Sequence, residues 1–399
     1  MRRILPILLL ALVAACSKDK DPDRPAKLVA FPETLRIQKV WSESVGGNKV
    51  PLRLGLGLNI EGDTVYAAGS KGDIEAFNLQ NGRREWQART KLPLGGAVGF
   101  GDGKVVVGST DGDVIALDAQ SGKQLWSANV AAEILSAPAV AQKLVLVRGV
   151  DGKLHGLSMA DGHELWQQQQ TVPKLSLRGA GSSAIAGDVA VTGFDNGRVV
   201  ASSLADGASV WETQLQIPAG KTDIDRLVDI DTPAHIVGND VYVVGFQGKL
   251  AMMALDSGQI WWSHETSSYR GITLDDDNVY VSTAAGEVIA LKRRTGVEVW
   301  RQKGLAHRRL SGPVVAGDAI VVADFQGYVH WLDRATGAVV GRVRAGKVRY
   351  TNAPVYANGL LLLLNDRGVI DAFRATPIAG RAAAAAAAPT SAQDARSGG

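Results

Sequence analysis

An all-β fold is predicted for this chain: an eight-bladed β-propeller with four antiparallel strands in each blade. Gly is unusually frequent, with 46 residues in a chain of 399, as expected where many turns join short strands. One pattern recurs at intervals of about 40 residues: a Gly, an apolar strand, a second Gly and then a Trp. Repeats of that length are typical of propeller blades.

The repeat is clearest between Gly112 and Trp126. Gly112 is followed ten residues later by Gly122, and Trp126 comes four residues after that. The same spacing recurs in five further copies, at Gly72, Gly82 and Trp86; Gly152, Gly162 and Trp166; Gly197, Gly207 and Trp211; Gly248, Gly258 and Trp262; and Gly286, Gly296 and Trp300. Each copy reads as a hairpin, and two apolar runs before it supply two more strands.

The last two copies are incomplete. The seventh has Gly341 where the Trp is expected, and the eighth begins at Gly368 and stops after Phe373. Residues 37–41, near the N-terminus, read as a final strand that ends in Trp41. Because an unfinished blade would leave an exposed strand edge, we expect this N-terminal strand to close the last blade.

Seven of the nine Trp residues end such strands. We expect each indole to dock on the neighbouring blade, where it removes a large apolar area from water. These structural docking residues are Trp41, Trp86, Trp126, Trp166, Trp211, Trp262 and Trp300.

Composition and charge exclude several classes of protein. The formal net charge is only +3, and nucleic-acid binding would call for a concentrated basic face. A single Cys excludes an internal disulfide and a zinc site built on several Cys ligands. The apolar run from Ile4 to Ala15 is too short to span a bilayer as a helix.

The N-terminus has the pattern of a lipoprotein signal. Residues 1–15 carry two Arg, an apolar run and small residues before Cys16, which resembles a bacterial lipobox. We therefore expect a signal peptide over 1–15, a lipidated Cys16 with a flexible tether over 16–36, the propeller over 37–375 and a disordered Ala-rich tail over 376–399. A free thiol behind an ordinary cleavage site is the alternative. Ser17 after the Cys resembles the signal for an outer-membrane, periplasm-facing location.

Two repeat intervals are abnormally long, 45 residues from Gly152 and 51 from Gly197. The extra residues follow Trp166 and Trp211, so both lengthen the connection from an outer strand to the inner strand of the next blade. Long neighbouring loops on a rigid scaffold are where function is commonly found.

The pattern over residues 116–126 resembles the tryptophan-docking repeat of quinoprotein alcohol dehydrogenase-like propellers. An eight-bladed lipoprotein of this length is similar to the BamB family, whose members belong to the machinery that assembles outer-membrane β-barrels. The resemblance implies a non-catalytic scaffold that docks on the periplasmic domains of the barrel subunit BamA, beside the other subunits. Unfolded outer-membrane proteins, caught by edge strands, are a further partner open at this point.

The same resemblance implies a partner-binding surface on the two long loops. A Leu-x-Leu-Arg loop and an Asp-x-Asp-Thr loop carry this contact in the BamB family, and the matching residues are Leu175, Leu177, Arg178, Asp229 and Asp231. From the residues alone, Arg178 and the two Asp residues are equally well explained as bridges between adjacent loops.

The rival function is a periplasmic dehydrogenase that uses pyrroloquinoline quinone and calcium. Such enzymes resemble one another in a pair of adjacent cysteines, whereas this chain has only Cys16. Residues 275–277 are three Asp in a row without the spacing of a calcium loop, and the six His show no ligand spacing. We therefore predict no catalytic residue, no cofactor and no metal. The basic clusters at 292–294 and 307–309 favour solvated turns over contact with lipid headgroups.

Overall fold

The computed structural model describes residues 23–46, 56–141, 143–173, 175, 181–219, 221–222, 224 and 226–379. Within these ranges the protein is all-β, with eight sheets of four antiparallel strands each. The predicted eight-bladed propeller is confirmed. The predicted signal peptide, Cys16 and almost all of the Ala-rich tail lie outside the described residues. No helix in the described ranges is long and apolar enough to cross a membrane.

Each of the first seven blades is formed by four consecutive strands. Blade 1 contains β2 (Leu58–Glu61), β3 (Thr64–Ala68), β4 (Asp73–Asn78) and β5 (Arg84–Arg89); blade 2, β6 (Gly99–Gly101), β7 (Lys104–Gly108), β8 (Asp113–Asp118) and β9 (Gln124–Asn129); blade 3, β10 (Ala139–Ala141), β11 (Leu144–Arg148), β12 (Lys153–Ser158) and β13 (Glu164–Gln169); blade 4, β14 (Ala184–Ala186), β15 (Val189–Gly193), β16 (Arg198–Ser203) and β17 (Ser209–Gln214). Blade 5 contains β18 (His235–Val237), β19 (Asp240–Val244), β20 (Lys249–Ala254) and β21 (Ile260–Glu265); blade 6, β22 (Ile272–Leu274), β23 (Asn278–Ser282), β24 (Val288–Lys292) and β25 (Glu298–Gln302); blade 7, β26 (Val314–Ala316), β27 (Ala319–Ala323), β28 (Tyr328–Asp333) and β29 (Val339–Arg344).

Blade 8 joins the two ends of the chain. Its inner strands are β30 (Val355–Ala357), β31 (Leu360–Leu364) and β32 (Val369–Pro377), and its outer strand is β1 (Leu35–Ser44). β1 pairs antiparallel with β32, with Trp41 opposite Ala372. The expectation that the N-terminal strand closes the last blade is therefore confirmed.

The Trp side chains bridge neighbouring blades. Trp86 of blade 1 donates its indole N–H to the Ala119 carbonyl of blade 2 at 2.8 Å. It also lies against Gly122, whose φ is +70°, and a Cβ at Gly122 would lie 2.4 Å from the indole. Only Gly fits both that backbone conformation and that close contact. The acceptors for Trp41, Trp86, Trp126, Trp166, Trp211, Trp262 and Trp300 are the carbonyls of Leu79, Ala119, Met159, Leu204, Leu255, Arg293 and Arg334.

The junction between blades 7 and 8 is built differently. Gly341 stands at the position of the docking Trp, and a Cβ there would lie 2.9 Å from Cδ1 of Ile37 and 3.3 Å from Cβ of Leu35. Both apolar side chains come from β1 and pack with the core between these blades. The N-terminal strand thus fills the space that an indole fills elsewhere.

The two faces of the disc carry different connections. The turn between the second and third strands of a blade lies on the same face as the connection that arrives from the preceding blade. Single β-bridges join these two segments in blade 2, from Leu94 to Ser109, and in blade 3, from Ile134 to Gly149. We call this side the loop face. Both abnormally long connections, 170–183 and 215–234, lie on it.

Candidate functional surface

The two long connections of the loop face contact each other. The first runs from β13 to β14 and the second from β17 to β18, so they flank blade 4. A Cβ at Gly181 in the first connection would lie 3.0 Å from the Thr232 carbonyl oxygen and 3.1 Å from the Asp231 carbonyl carbon of the second. Close backbone contact of this kind makes the two connections one continuous surface.

Exposed apolar side chains project from this surface. Leu175 in the first connection is 46% exposed, while Ile217 and Ile224 in the second are 70% and 66% exposed. Leu177 and Arg178 lie outside the described residues. Neither Ile is among the residues predicted from the sequence, although an Ile within a polar loop is itself a signal of exposed apolar surface. Side chains of this kind act as anchors when a partner covers them.

The two predicted acidic residues lie inside the surface. Asp229 is only 1% exposed, and its backbone carbonyl accepts a hydrogen bond from the Phe246 amide at 2.8 Å. Oδ1 of Asp231 is inaccessible to solvent. The next residue, Thr232, is buried and donates its hydroxyl to the Val244 carbonyl at 3.3 Å. This stretch of the second connection is therefore held down on blade 5.

A buried charge cluster lies beneath the two connections. Nη2 of Arg148, at the end of β11, donates to Oδ1 of Asp195 in the β15–β16 turn, and the guanidinium lies 5.0 Å from the centre of the Phe194 ring. Burial is the largest cause that raises the pKa of Asp231 to about 8, and repulsion from Asp195 is the second. The charge of Arg148 opposes the rise. Asp231 is thus largely protonated at neutral pH, which relieves the crowding of carboxylates.

Basic side chains occupy another part of the loop face. Arg270 donates through Nη1 to the Thr351 carbonyl at 3.3 Å, joining the connections that precede blades 6 and 8. Burial is the largest cause that lowers the pKa of Arg270 to about 10, and repulsion from Arg349 is the second. Burial also raises the pKa of the nearby Asp366 carboxyl. The loop face therefore carries an acidic cluster and a basic cluster at separate junctions.

The three consecutive Asp residues form a structural turn. Oδ1 of Asp275 accepts the backbone amides of Asp277 and Asn278, and Oδ2 accepts the Tyr280 hydroxyl at 2.8 Å. Backbone and side-chain donors thus occupy both oxygens of this carboxylate. Within the described ranges, no group of three or more His, Cys, Asp or Glu side chains is placed to hold a metal ion.

The fold and the loop face define a class of protein: an eight-bladed propeller with quinoprotein-type tryptophan docking and an enlarged loop surface between blades 3 and 5. The family model described as outer membrane protein assembly factor BamB matches residues 27–93, 86–302 and 284–377. The chain belongs to the BamB family of outer membrane protein assembly factors.

Curated relatives of the same name cover nearly the whole chain. BamB of Pseudomonas aeruginosa is 45% identical over 92% of this chain and 96% of its own length. BamB of Alkalilimnicola ehrlichii is 41% identical over 94% of this chain and 97% of its own length. BamB of Salmonella typhimurium is 33% identical over 93% of this chain and 98% of its own length. The predicted resemblance to the BamB family is confirmed.

Solved structures agree with this assignment. The crystal structure of BamB from Moraxella catarrhalis matches with a TM-score of 0.78 and 28% identity, covering 85% of this chain and all of that one. Quinohemoprotein alcohol dehydrogenase from Comamonas testosteroni matches with a TM-score of 0.66 and 13% identity, covering 84% of this chain and 76% of that one. At that identity the likeness to the dehydrogenase concerns the fold alone.

Proposed function

We propose that this protein is a non-catalytic, lipid-anchored subunit of the outer-membrane β-barrel assembly machinery. In this role Cys16 carries the lipid, the propeller lies at the periplasmic face of the outer membrane, and the loop surface between blades 3 and 5 docks on the periplasmic domains of BamA. The observation that carries the proposal is the exposure of Leu175, Ile217 and Ile224 on two touching loops of a chain whose relatives are named assembly factors.

The side chains divide into two roles in this proposal. Leu175, Ile217 and Ile224 provide the apolar contact, and Leu177 and Arg178 complete it on the first loop. Asp229 and Asp231 act by shaping the second loop, because Asp229 is buried and Oδ1 of Asp231 is inaccessible to solvent, so pairing with charges on a partner would require these groups to leave the interior. Substitution of either Asp therefore alters binding through loop geometry.

The absence of catalysis is also part of the proposal. The only Cys is assigned to the anchor, so the chain has no cysteine pair of the kind found in the quinone enzymes. The carboxylate of Asp275, in the acidic run that most resembles a calcium loop, is engaged by its own turn. The propeller then acts by holding a surface in place.

A pull-down from membranes, with partners identified, tests this function. The lipidated protein should recover BamA and the other subunits of the machinery, and Cys16→Ala should abolish lipid labelling of the chain. Recovery of the other subunits without BamA would contradict the docking role. Alcohol or sugar oxidation restored by pyrroloquinoline quinone and calcium would contradict the absence of catalysis.

A further inference from the structure

The segment before β1 lies along the outside of blades 6 and 7. We call residues 23–34 the strap. Its Ala26 amide donates to the Ala306 carbonyl at 2.9 Å, and its Thr34 amide donates to the Val340 carbonyl at 3.0 Å. Between them, Leu28 packs against the core cluster that contains Leu305. The strap is thus attached to the propeller near both of its ends.

Two arginines of the propeller grip the strap. Nη1 of Arg308 donates to the Ala26 carbonyl at 3.0 Å, and Nη1 of Arg342 donates to the Val29 carbonyl at 3.0 Å. The Arg342 guanidinium also lies 4.8 Å from the centre of the Phe31 ring. These contacts involve backbone carbonyls, so they fix the path of the chain whatever the side chains of residues 26 and 29.

A buried network holds the two arginines in place. The carboxylate of Asp324, fully buried, accepts Nε of Arg308 at 2.7 Å and lies 3.1 Å from Nε2 of His330. Arg342 donates through Nε to the other ring nitrogen of His330 at 3.1 Å. His330 must therefore accept at Nδ1 and donate at Nε2 to Asp324. Asp324 and His330 thus position the two arginines that donate to the strap.

The strap limits how far the propeller can lie from the membrane. Asp23 comes seven positions after Cys16 in the sequence, a span of about 25 Å at full extension. This step rests on the proposed lipidation of Cys16. It makes the rim at the junction of blades 6 and 7 the part of the propeller nearest the anchor.

Exposed cations surround that point. Arg24 and Lys27 lie on the strap, and Lys303 and Arg309 lie on the connection between β25 and β26 that the strap crosses. None of these four lies in an ion pair with a described residue, although the hydrogen bond from Arg301 lowers the pKa of the Glu298 carboxyl and Lys303 is near enough to add to that effect. Asp23, the nearest acid in sequence, lies 3.8 Å from His307. We call Arg24, Lys27, Lys303 and Arg309 the basic rim.

We propose that the basic rim is a membrane-facing surface that binds anionic phospholipid headgroups. Unpaired, exposed cations beside a membrane anchor have the chemistry that such headgroups attract, within the short range that salt screening allows. The surface differs from the apolar loops proposed for BamA, which lie two and three blade junctions away round the ring. A lipid chain and a basic patch together give firmer attachment than either alone.

Residues 307–309, for which the sequence favours a solvated turn, include one buried and one exposed side chain. Arg308 is buried and holds Asp324 and the strap, while Arg309 is exposed. The cluster therefore combines one buried arginine that hydrogen-bonds within the fold with one exposed cation. The sequence alone does not separate these roles.

Vesicle binding by the mature chain without its lipidated residue, 17–399, tests the proposal without relying on lipidation. The chain should bind vesicles that contain phosphatidylglycerol more tightly than vesicles of phosphatidylcholine alone, and added salt should weaken the binding. Lys303→Gln with Arg309→Gln should lower the partition coefficient about 25-fold, at about fivefold for each cation.

Lys123→Gln with Lys143→Gln is the matched control. Both lysines are exposed and lie across the ring on blades 2 and 3, so the same loss of charge should leave vesicle binding within about twofold of wild type. Equal losses in the rim and control variants would overturn the proposal, as would equal binding to the two kinds of vesicle. Leu175→Glu should leave vesicle binding unchanged, which separates this surface from the BamA contact.

Discussion

Ile37 occupies the space that a side chain at Gly341 would need: a Cβ on Gly341 would approach Cδ1 of Ile37 to 2.9 Å. The seventh repeat lacks its Trp at the junction where Leu35 and Ile37 of the N-terminal strand pack. Ring closure and the missing Trp are therefore two aspects of one packing arrangement.

Restoring the repeat at this position should destabilise the protein. Gly341→Trp forces a large ring against Ile37 and Leu35, and overpacking of a filled core costs about 1–3 kcal/mol. Chemical denaturation of the variant measures the loss. Ile37→Ala combined with Gly341→Trp should recover part of it, because the two positions share one space. A more stable Gly341→Trp variant would contradict this packing.

Removing a docking indole should be costly. Trp126→Ala leaves a cavity between blades 2 and 3 and removes the hydrogen bond to the Met159 carbonyl, at an expected cost of about 3–5 kcal/mol in the free energy of unfolding. Trp261 is 58% exposed and serves as the control, with an expected change within about 0.5 kcal/mol. Equal melting temperatures for the two variants would argue against the docking role.

The buried acidic cluster should give the stability a distinctive pH dependence. In the fold, the pKa of Asp231 is about 8, so between about pH 4 and pH 8 the folded protein holds a proton that the unfolded chain releases. The stabilisation is fully present below about pH 4, falls as the pH rises from about 4 to 8 and is lost above about pH 8.

Asp231→Asn should remove that dependence. The difference in unfolding free energy between wild type and variant should fall with rising pH, by at most about 1.4 kcal/mol per pH unit for one proton. Denaturation titrations across this range measure it. Parallel curves for the two proteins would show that Asp231 does not hold the proton.

The strap should become more mobile when the hydrogen bond from Arg308 is removed. Arg308→Ala leaves Asp324 buried without its guanidinium, at a cost of about 3–5 kcal/mol, and frees the Ala26 carbonyl. Hydrogen exchange at the Ala26 amide should accelerate. Arg301→Ala, which breaks half-exposed pairs with Glu287 and Glu298, is the control. Unchanged protection of Ala26 in Arg308→Ala would mean that other contacts hold the strap.

The blades could be predicted because their determinants are local and repeated. Gly122 and Trp126 lie in one hairpin, and the same spacing recurs in the copies around them, so pattern alone reveals the strand, the turn and the docking residue. The absence of a Trp at position 341 can also be seen in the sequence. The replacement of the indole by Ile37 cannot, because Ile37 and Gly341 lie at opposite ends of the chain.

The loop surface was predictable only in part. Its location follows from two long repeat intervals, and Leu175 is one of its exposed apolar side chains. Asp229 is buried between Val228 and Ile230, and the sequence does not indicate which group would compensate a buried carboxylate there. The contact between Arg308 and the strap depends on Asp324, which positions the guanidinium. Asp324 lies sixteen residues away, and no sequence motif links it to Arg308.

Affinity for the isolated periplasmic domains of BamA is the most direct test of the central claim. Leu175→Glu should weaken binding by at least about tenfold, since a charge at an apolar contact costs more than 1.4 kcal/mol. Leu125→Glu places the same charge on the outer strand of blade 2, where Leu125 is 47% exposed, and should bind like wild type. Equal affinity of the Leu175→Glu variant and wild type would contradict docking through these loops.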